Sequence, residues 1–436
     1  LPVSGSAPLS VVMHEDNEVL DAVVVTALGI KRSEKALTYN VQEVAGDIVN
    51  TVKDANFMNS LSGKVAGLQI NASASGVGGS TRVVMRGVKS ISGNNNALYV
   101  IDGIPMPDLR SSQTEGTYET PDGGDFEGIS NLNPEDIESM TVLSGATAAA
   151  LYGSQGANGV IVITTKRGRM AERAKINYRM QLGFSQIAYG NWDLMDTDER
   201  IRYEKEIGFT DGKNYNVLGK TNVNWLDEVF NDAALLQNYE LSVSGATDKT
   251  NYYVSGGYYN QEGIAAGSAF ERFSLRANVE QQAAKWLKLG TNPMMNYQTI
   301  ERAESGEYTL VTPISAARFM MPYWNPHRPD GSLASIKDGT WKGEGQNPLE
   351  WLANNKISYK KYKVISTLFA EATPIEGLTI RSQFGVGYSH TTGFGASYPN
   401  YPPNLGSGTA QRYSTDGMSL SITNTINYRF SLDGGH

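Results

Sequence analysis

The sequence predicts an α+β domain followed by a transmembrane antiparallel β-barrel, and three features carry that expectation. Between Leu61 and Gly168, short apolar runs such as Leu98 to Ile101 and Val160 to Thr164 are bounded by Gly, Pro, Asn and Asp. Such runs read as buried strands joined by tight turns within one compact domain. After Gly168 the pattern changes to long segments of period two, apolar on one side and polar on the other. Short and long connections alternate between those segments.

Composition narrows the function classes. The 436 residues suffice for two or three domains and include 46 Gly, 23 Tyr and no Cys, so disulfides are absent. A net charge of -8 argues against nucleic-acid binding, which needs clustered Lys and Arg to neutralise phosphates. The longest apolar runs are too short for a transmembrane helix, which needs about 18 residues or more. A barrel stays open, because its lipid face uses only every second residue and barely raises mean hydropathy. Leu1 is neither Met nor the start of a secretory signal, so a trimmed or partial product is expected.

Near the N-terminus, SAPLSVVMHED alternates weakly and reads either as the last strand of a further domain or as a disordered tail. Leu20 to Arg32, LDAVVVTALGIKR, combines three valines and Thr26 with polar flanks. Such a segment can stay unpaired until a partner offers a sheet edge, or it can be an ordinary edge strand of the following domain. ALTYNVQEVAGDIVN then suggests a strand and a short helix.

Several motifs imitate enzyme signatures and fail on context. SGVGGS, Ser75 to Ser80, precedes the strand-like TRVVMRG where a dinucleotide fold would start a helix, so its glycines serve a tight turn. Asp102-Gly103 between YVI and IP is a hairpin signal far more than a catalytic one. SGATAAALYGSQGANG lacks the GK[ST] ending of a phosphate loop, and its alanines suggest a short helix that brings backbones close. Asp122, Asp125 and Glu127 are hard oxygen donors at a spacing only loosely that of a calcium loop, and a solvated loop is the weightier reading. Arg82 and Arg86 share one face of TRVVMRG and either pair with acids on a surrounding wall or remain solvated. With four His and no Cys, no nucleophile, base or metal set converges, which speaks against an enzyme.

Past Gly168, Ile176, Tyr178, Met180, Leu182 and Phe184 alternate with Asn177, Arg179 and Gln181. Phe273, Leu275, Ala277 and Val279 alternate likewise with Ser274, Arg276, Asn278 and Glu280, and the segments from Leu378 and Met418 repeat the pattern. Lipid outside and water inside is the arrangement this fits. About eight strands are expected, starting near Lys175, Leu236, Thr250, Phe270, Trp286, Tyr362, Leu378 and Met418. The short turns GATDKTN, EQQAAKW and TPIEGL belong at the periplasmic end, and the segments 189–234, 261–269, 301–360 and 389–411 are long outer loops. Eight strands enclose only their own side chains, whereas a lumen holding a folded domain takes about 22, so more sequence is expected after His436.

The long loops hold most aromatic side chains able to meet a ligand: Trp192, Trp225, Tyr323, Trp324, Trp341, Trp351, Phe394, Tyr398 and Tyr401. Aromatic faces stack on sugar rings or pack on peptide side chains, while neighbours in WNPHRPDG can bond hydroxyls or carboxylates. Tyr323, Trp324, Asn325, Arg328, Asp330, Trp341, Tyr398 and Tyr401 are the candidate substrate-binding residues. The same aromatics could instead pack the loops together or form an interfacial girdle.

ALYVIDGIP, NPEDIESMTVLSGATAAALYGSQGANGVIVITTKRG and the upstream VVVTALGIKR resemble the SusC/RagA family of TonB-dependent outer-membrane transporters, from about Pro8 to the end of the chain. The resemblance implies an α+β plug domain inside a transmembrane antiparallel β-barrel of 22 strands, of which this chain carries about the first eight. It implies the end of a small Ig-like extension at 1–19, the TonB box and linker at 20–40, the plug at 41–168 and the first part of the barrel at 169–436. Asp21, Ala22, Val23, Val24, Val25, Thr26 and Ala27 match the TonB box, which would bind the TonB C-terminal domain. The implied function is active import of oligosaccharides, or alternatively of oligopeptides, with no catalytic residues, metal or cofactor. A non-transporting, adhesin-like barrel remains a further alternative, though it has no use for a TonB box. The resemblance also implies a SusD-like surface lipoprotein, outer-membrane lipid around the barrel and a dimer of transporter–lipoprotein pairs.

Overall fold

The computed structural model describes residues 23–25, 31–33, 42–50, 54–72, 77–79, 81–90, 95–106, 129, 132–143, 145–168, 173–188, 193–210, 212–303, 312–397 and 408–430. Val23–Val25 (β1) pairs antiparallel with Lys31–Ser33 (β2), Val24 opposite Arg32, as a separate two-stranded sheet. The α+β domain follows with β3 (Gln42–Ala45), α1 (Gly46–Val49), β4 (Leu68–Ala72), β5 (Thr81–Met85), β6 (Leu98–Ile101) and β7 (Ile104–Met106), then β8 (Ile137–Leu143), α2 (Ala146–Tyr152) and β9 (Val160–Thr165). Its main sheet has the order β3-β8-β9-β6-β7, with β6 and β9 parallel and the other pairs antiparallel, and β4 and β5 form a separate hairpin.

Both faces of this sheet are covered, which explains why LYVI and VIVIT read as continuous apolar runs. Tyr99, Ile101, Ile161 and Ile163 join Phe57, Met58, Leu61, Met106 and Met140 on one side. Leu98, Val100, Leu143, Val160 and Val162 pack with Ala148 of α2 on the other. The expected hairpin at Asp102-Gly103 joins β6 to β7, with Asp102 at φ +48° and Gly103 at φ +88°. In SGVGGS, Gly78 sits at φ +76° and a Cβ there would lie 2.2 Å from the Phe270 ring. Only glycine allows both that turn and that approach of domain to wall.

The second sheet is the wall: β10 (Lys175–Ser185), β11 (Ala234–Ala246), β12 (Thr250–Glu262), β13 (Ala269–Ala284), β14 (Leu287–Thr291), β15 (Met294–Arg302), β16 (Asn355–Ala372), β17 (Leu378–Ser397) and β18 (Thr409–Tyr428). β14 and β15 both lie between β13 and β16, so they are two segments of one strand interrupted at Asn292 and Pro293, and the nine segments make eight strands. Pro293 lacks the N–H a ladder needs, and its carbonyl still accepts from Ala277 N at 3.0 Å. Among the described residues no helix is long and apolar enough to cross a membrane; strands make the crossing.

Two boundaries differ from the sequence reading. β16 begins at Asn355 rather than near Tyr362, and β17 and β18 stay paired up to Ser397↔Thr409, so 389–397 and 409–411 are strand rather than loop. Above the lipid both faces of a hairpin meet water. The apolar alternation then stops while backbone pairing continues.

Outward side chains are the apolar ones: Ile176, Met180 and Phe184 on β10, Phe273 and Leu275 on β13, Met418, Leu420, Ile422, Ile426 and Tyr428 on β18 are all exposed. The register gives the strand tilt. Met180 aligns across the sheet, through Tyr239, Tyr258, Phe273, Tyr297, Tyr362 and His390, with Asp416. The apolar stretch centres on Met180 in β10 but on Thr423 in β18, seven residues below Asp416. Seven residues rise about 23 Å and seven strand spacings cover about 34 Å, giving a tilt of about 35°. That matches the tilt of membrane barrels, and the apolar stretch Met418 to Tyr428, so tilted, spans about 27 Å of hydrocarbon.

Candidate functional site

The segment Asp21–Ala27 is described only at its centre, where Val23, Val24 and Val25 form β1; Asp21, Ala22, Thr26 and Ala27 lie outside the described residues. β1 joins neither the main sheet of the domain nor the wall. Among the described residues, one edge of β1 is taken by β2 and the other pairs with no strand.

Where domain meets wall, the hairpin turn at Asp102 is the centre of a buried polar network. Arg276 of β13 donates through one terminal nitrogen to Asp102 Oδ2 at 2.7 Å, with the two side chains only 2% and 3% exposed. The same nitrogen reaches Thr165 Oγ1 at 2.7 Å, Asn292 Nδ2 donates to Asp102 Oδ2 at 3.2 Å, and Gln383 Nε2 donates to the Asp102 carbonyl at 3.1 Å. Thr165 adds its N–H and hydroxyl to the carboxylate. Burial opposes ionisation of Asp102, but Arg276, Arg167 and the Thr165 bonds outweigh it and hold the carboxyl below the usual carboxylate range. The interruption of the wall strand at Asn292 thus places a donor against this turn.

A second cluster lies at Asn133–Asp136. Asn133 caps the turn Pro134–Asp136 and donates through Nδ2 to Glu240 Oε2 at 2.7 Å. Tyr253 and Ser255 donate to Asp136 Oδ1, and Arg179 pairs with Glu135. Arg167 pairs with Glu280, and Asn278 Nδ2 reaches the Lys166 carbonyl at 2.6 Å. A cavity of about 430 Å³ remains between Asp47, Glu138 and Lys166 of the domain and Lys175, Asn177 and Tyr253 of the wall.

Arg82 is half-buried and Arg86 exposed, and neither forms an ion pair with the wall among the described residues. At Asp102–Arg276 and Glu135–Arg179 the domain supplies the acid and the wall the arginine. Nothing in the local pattern announces Arg276 or Glu240 as anchors; Asp102 alone carried a signal, and it was a signal for a turn.

The outer loops have a core of their own. α3 (Thr197–Glu206), α4 (Tyr215–Leu218) and α5 (Trp225–Val229) lie between β10 and β11, with α6 (Pro313–Phe319) and α7 (Pro348–Asn354) between β15 and β16. Trp225, Leu226, Val229, Met320, Tyr323, Trp324 and Trp341 pack together, with Ile264 of the β12–β13 connection against them. Tyr323, Trp324 and Trp341 are only 4%, 8% and 4% exposed, so their rings are occupied within this core. Trp341 meets Trp225 and Trp324 edge-on, each at 6.2 Å between ring centroids.

At the centre stands Glu204, fully buried, which accepts from Arg200 Nε at 2.9 Å, Tyr323 OH at 2.9 Å and Tyr215 OH at 3.0 Å and pairs with Lys213 Nζ at 2.9 Å. Burial works against its charge, but the bonds from Lys213, Tyr323, Arg200 and Tyr215 prevail and keep its carboxyl below the usual range. No motif marks Glu204 in the sequence. Of the remaining candidate substrate residues, Asn325 and Asp330 are exposed at the rim, Arg328 pairs with Asp338, and Tyr398 and Tyr401 lie outside the described residues. Trp192 and the acidic loop at Asp122, Asp125 and Glu127 also lie outside them. Among the described residues no group of three or more His, Asp or Glu is placed to hold a metal.

Comparison with known proteins agrees with this architecture. Residues 33–160 match the model of the TonB-dependent Receptor Plug Domain. TonB-dependent receptor P3 of Formosa agariphila is 30% identical over 401 residues, covering 90% of this chain and 36% of that protein. TonB-dependent receptor SusC of Bacteroides thetaiotaomicron is 29% identical, covering 83% of this chain and 37% of its own length. The RagAB peptide importer in its open-open state superposes with a TM-score of 0.79 at 27% identity, over 95% of this chain and 47% of that one. In its closed-closed state the TM-score is 0.75, again at 27% identity, over 90% of this chain and 46% of that one. The chain thus spans less than half the length of these relatives.

Proposed function

The chain belongs to the TonB-dependent receptors of the SusC/RagA type, outer-membrane β-barrel proteins with a plug domain, and on that premise we propose that it works in active import of oligosaccharides. The observation that carries the reading is a tilted wall, lipid-facing outside, whose inner side chains anchor the α+β plug. Cargo would bind outside the plug, and TonB, energised from the inner membrane, would take Asp21–Ala27 and draw the plug from the wall. Asn325, Arg328, Asp330, Tyr398 and Tyr401 are the cargo-contact positions in this reading, while Tyr323, Trp324 and Trp341 hold the loops that carry them. A SusD-like lipoprotein over the outer mouth, and a dimer of such pairs, complete the proposed assembly.

A second reading keeps the mechanism and changes the cargo to oligopeptides. It is favoured by the likeness to RagAB, which is named as a peptide importer. Deleting Leu20–Ala27 should abolish uptake and spare surface binding of cargo; unimpaired uptake would defeat both readings. Competition between labelled oligosaccharides and peptides for uptake by the full-length receptor separates the two.

A further inference from the structure

On β15, Asn296 and Gln298 point into the lumen, 5% and 1% exposed. The register sets Asn296 between Ser274 of β13 and Lys363 of β16, and Gln298 between Arg272 and Lys361. Arg272, Lys361 and Lys363 are equally buried, so the three strands share one polar band facing the plug. Apolar contacts close it at both ends. Toward the periplasm, Met294 and Ile365 join the plug's own core; toward the outside, Ile300, Phe270 and Tyr359 pack around Ala55 of the plug.

Within this sealed band, neither the oxygen nor the nitrogen of the Asn296 amide has a hydrogen-bond partner. A buried polar group left unpaired is costly, and an apolar side chain of similar size would suit the closed state better. The amide gains a use only when the plug separates from this wall and something else enters. An amide both donates and accepts, so an entrant carrying hydroxyl or amide groups can engage both of its atoms.

We propose that Asn296 is a hydrogen-bonding station on the passage between plug and wall, contacted in transit by an oligomer through its hydroxyl or amide groups. The proposal rests on the import reading and locates the passage along β13, β15 and β16. Because Asn296 has no internal bond to break, cargo engages it without an exchange. The site favours passage over tight capture, since closure of the apolar contacts expels whatever occupies it.

The test uses the full-length receptor in cells and after purification, with Asn296→Leu and Asn296→Ser. Asn296→Leu should lower the maximal uptake rate by about two- to tenfold, the worth of one hydrogen bond. The half-saturating cargo concentration should stay the same, and the melting temperature should stay or rise. Asn296→Ser, which keeps a donor and an acceptor, should retain most of the rate. A parental uptake rate in Asn296→Leu would overturn the proposal and leave a passive, water-filled site. So would a rate loss in both variants accompanied by a lower melting temperature and weaker cargo binding, which marks a structural role. Deletion of Leu20–Ala27 tests the import reading separately. Uptake that survives this deletion sinks that reading, whereas uptake lost on deletion but normal in Asn296→Leu sinks only the station.

Discussion

Replacing Asp102 by Asn removes one charge from the buried anchor and sets an amide nitrogen where Oδ2 accepted from Arg276, Asn292 and Thr165. Asn tolerates the left-handed backbone that Asp102 adopts at φ +48°, so the substitution avoids the strain Ala would add. Its side-chain oxygen can still accept from Thr165 N, and its carbonyl still accepts from Gln383. What changes is that Arg276, 2% exposed, becomes a buried cation without its anion. At 2.7 Å the lost attraction is about 6 kcal/mol at an effective dielectric near 20. Retained hydrogen bonds offset part of it, and removing one partner of a buried pair generally costs about 3 to 5 kcal/mol. Taking about 3 kcal/mol, opening of the β6–β9 half of the plug becomes roughly a hundredfold more frequent. Hydrogen exchange of the Val160–Thr165 amides in the purified full-length receptor reads this directly, because the wall strands stay closed. A second change, Arg276→Met, should recover much of the loss in the double variant, since no unpaired charge then remains. Exchange at Val160–Thr165 unchanged in Asp102→Asn would refute the view that this pair pins the plug.

Two further outcomes follow from the loop core and the lipid face. Glu204→Gln leaves Lys213 and Arg200 facing a neutral amide and should loosen the loop core by about 1 to 3 kcal/mol, read as a red shift and higher quenching of tryptophan fluorescence. Because the Glu204 carboxyl is held below its ordinary 4.5, its stabilisation is complete above that pH and is lost as pH falls through the lower folded-state value. The parent should therefore show an acid step in loop fluorescence that Glu204→Gln lacks; an identical step in both would remove Glu204 from the account. On β18, Ile422 is 71% exposed near the middle of the apolar stretch, so Ile422→Arg should weaken folding into lipid vesicles by about 2 to 4 kcal/mol. Ser414→Arg, on the same face above the hydrocarbon, should cost about 0 to 1 kcal/mol, and equal losses for the two would contradict the deduced membrane position.

What could be read from the residues alone, and what could not, divides along a physical line. Lipid imposes alternation on every strand that crosses it, so Ile176 to Phe184 and Met418 to Tyr428 declare their outward face without any partner being known. The turn at Asp102-Gly103 is legible for the same reason: its chemistry is local. The use made of that turn is not local. Arg276 lies 174 residues away, and an arginine among Ser274 and Asn278 on a polar strand face looks like any lumen-wall residue until the plug is seated against it. Arg82 and Arg86, the basic residues of TRVVMRG, left open whether plug cations pair with acids on the wall or stay solvated, and one plug cation, Arg167, does pair with a wall acid, Glu280. At Asp102 and Glu135 the polarity runs the other way, because a negative turn on the plug is met by guanidiniums long enough to cross the gap. The loop aromatics are ambiguous for a related reason. Composition shows that Tyr323, Trp324 and Trp341 sit in long outer segments, but their burial around Glu204 depends on segments from both sides of β11–β15 meeting above the wall. A ring that can stack on cargo can equally stack on another ring, and the choice between them is made by tertiary packing, which periodicity does not encode. The unpaired Asn296 amide lies furthest from the sequence signal, because an asparagine on an inward-facing strand position satisfies every local rule and becomes anomalous only once the plug has sealed it from water.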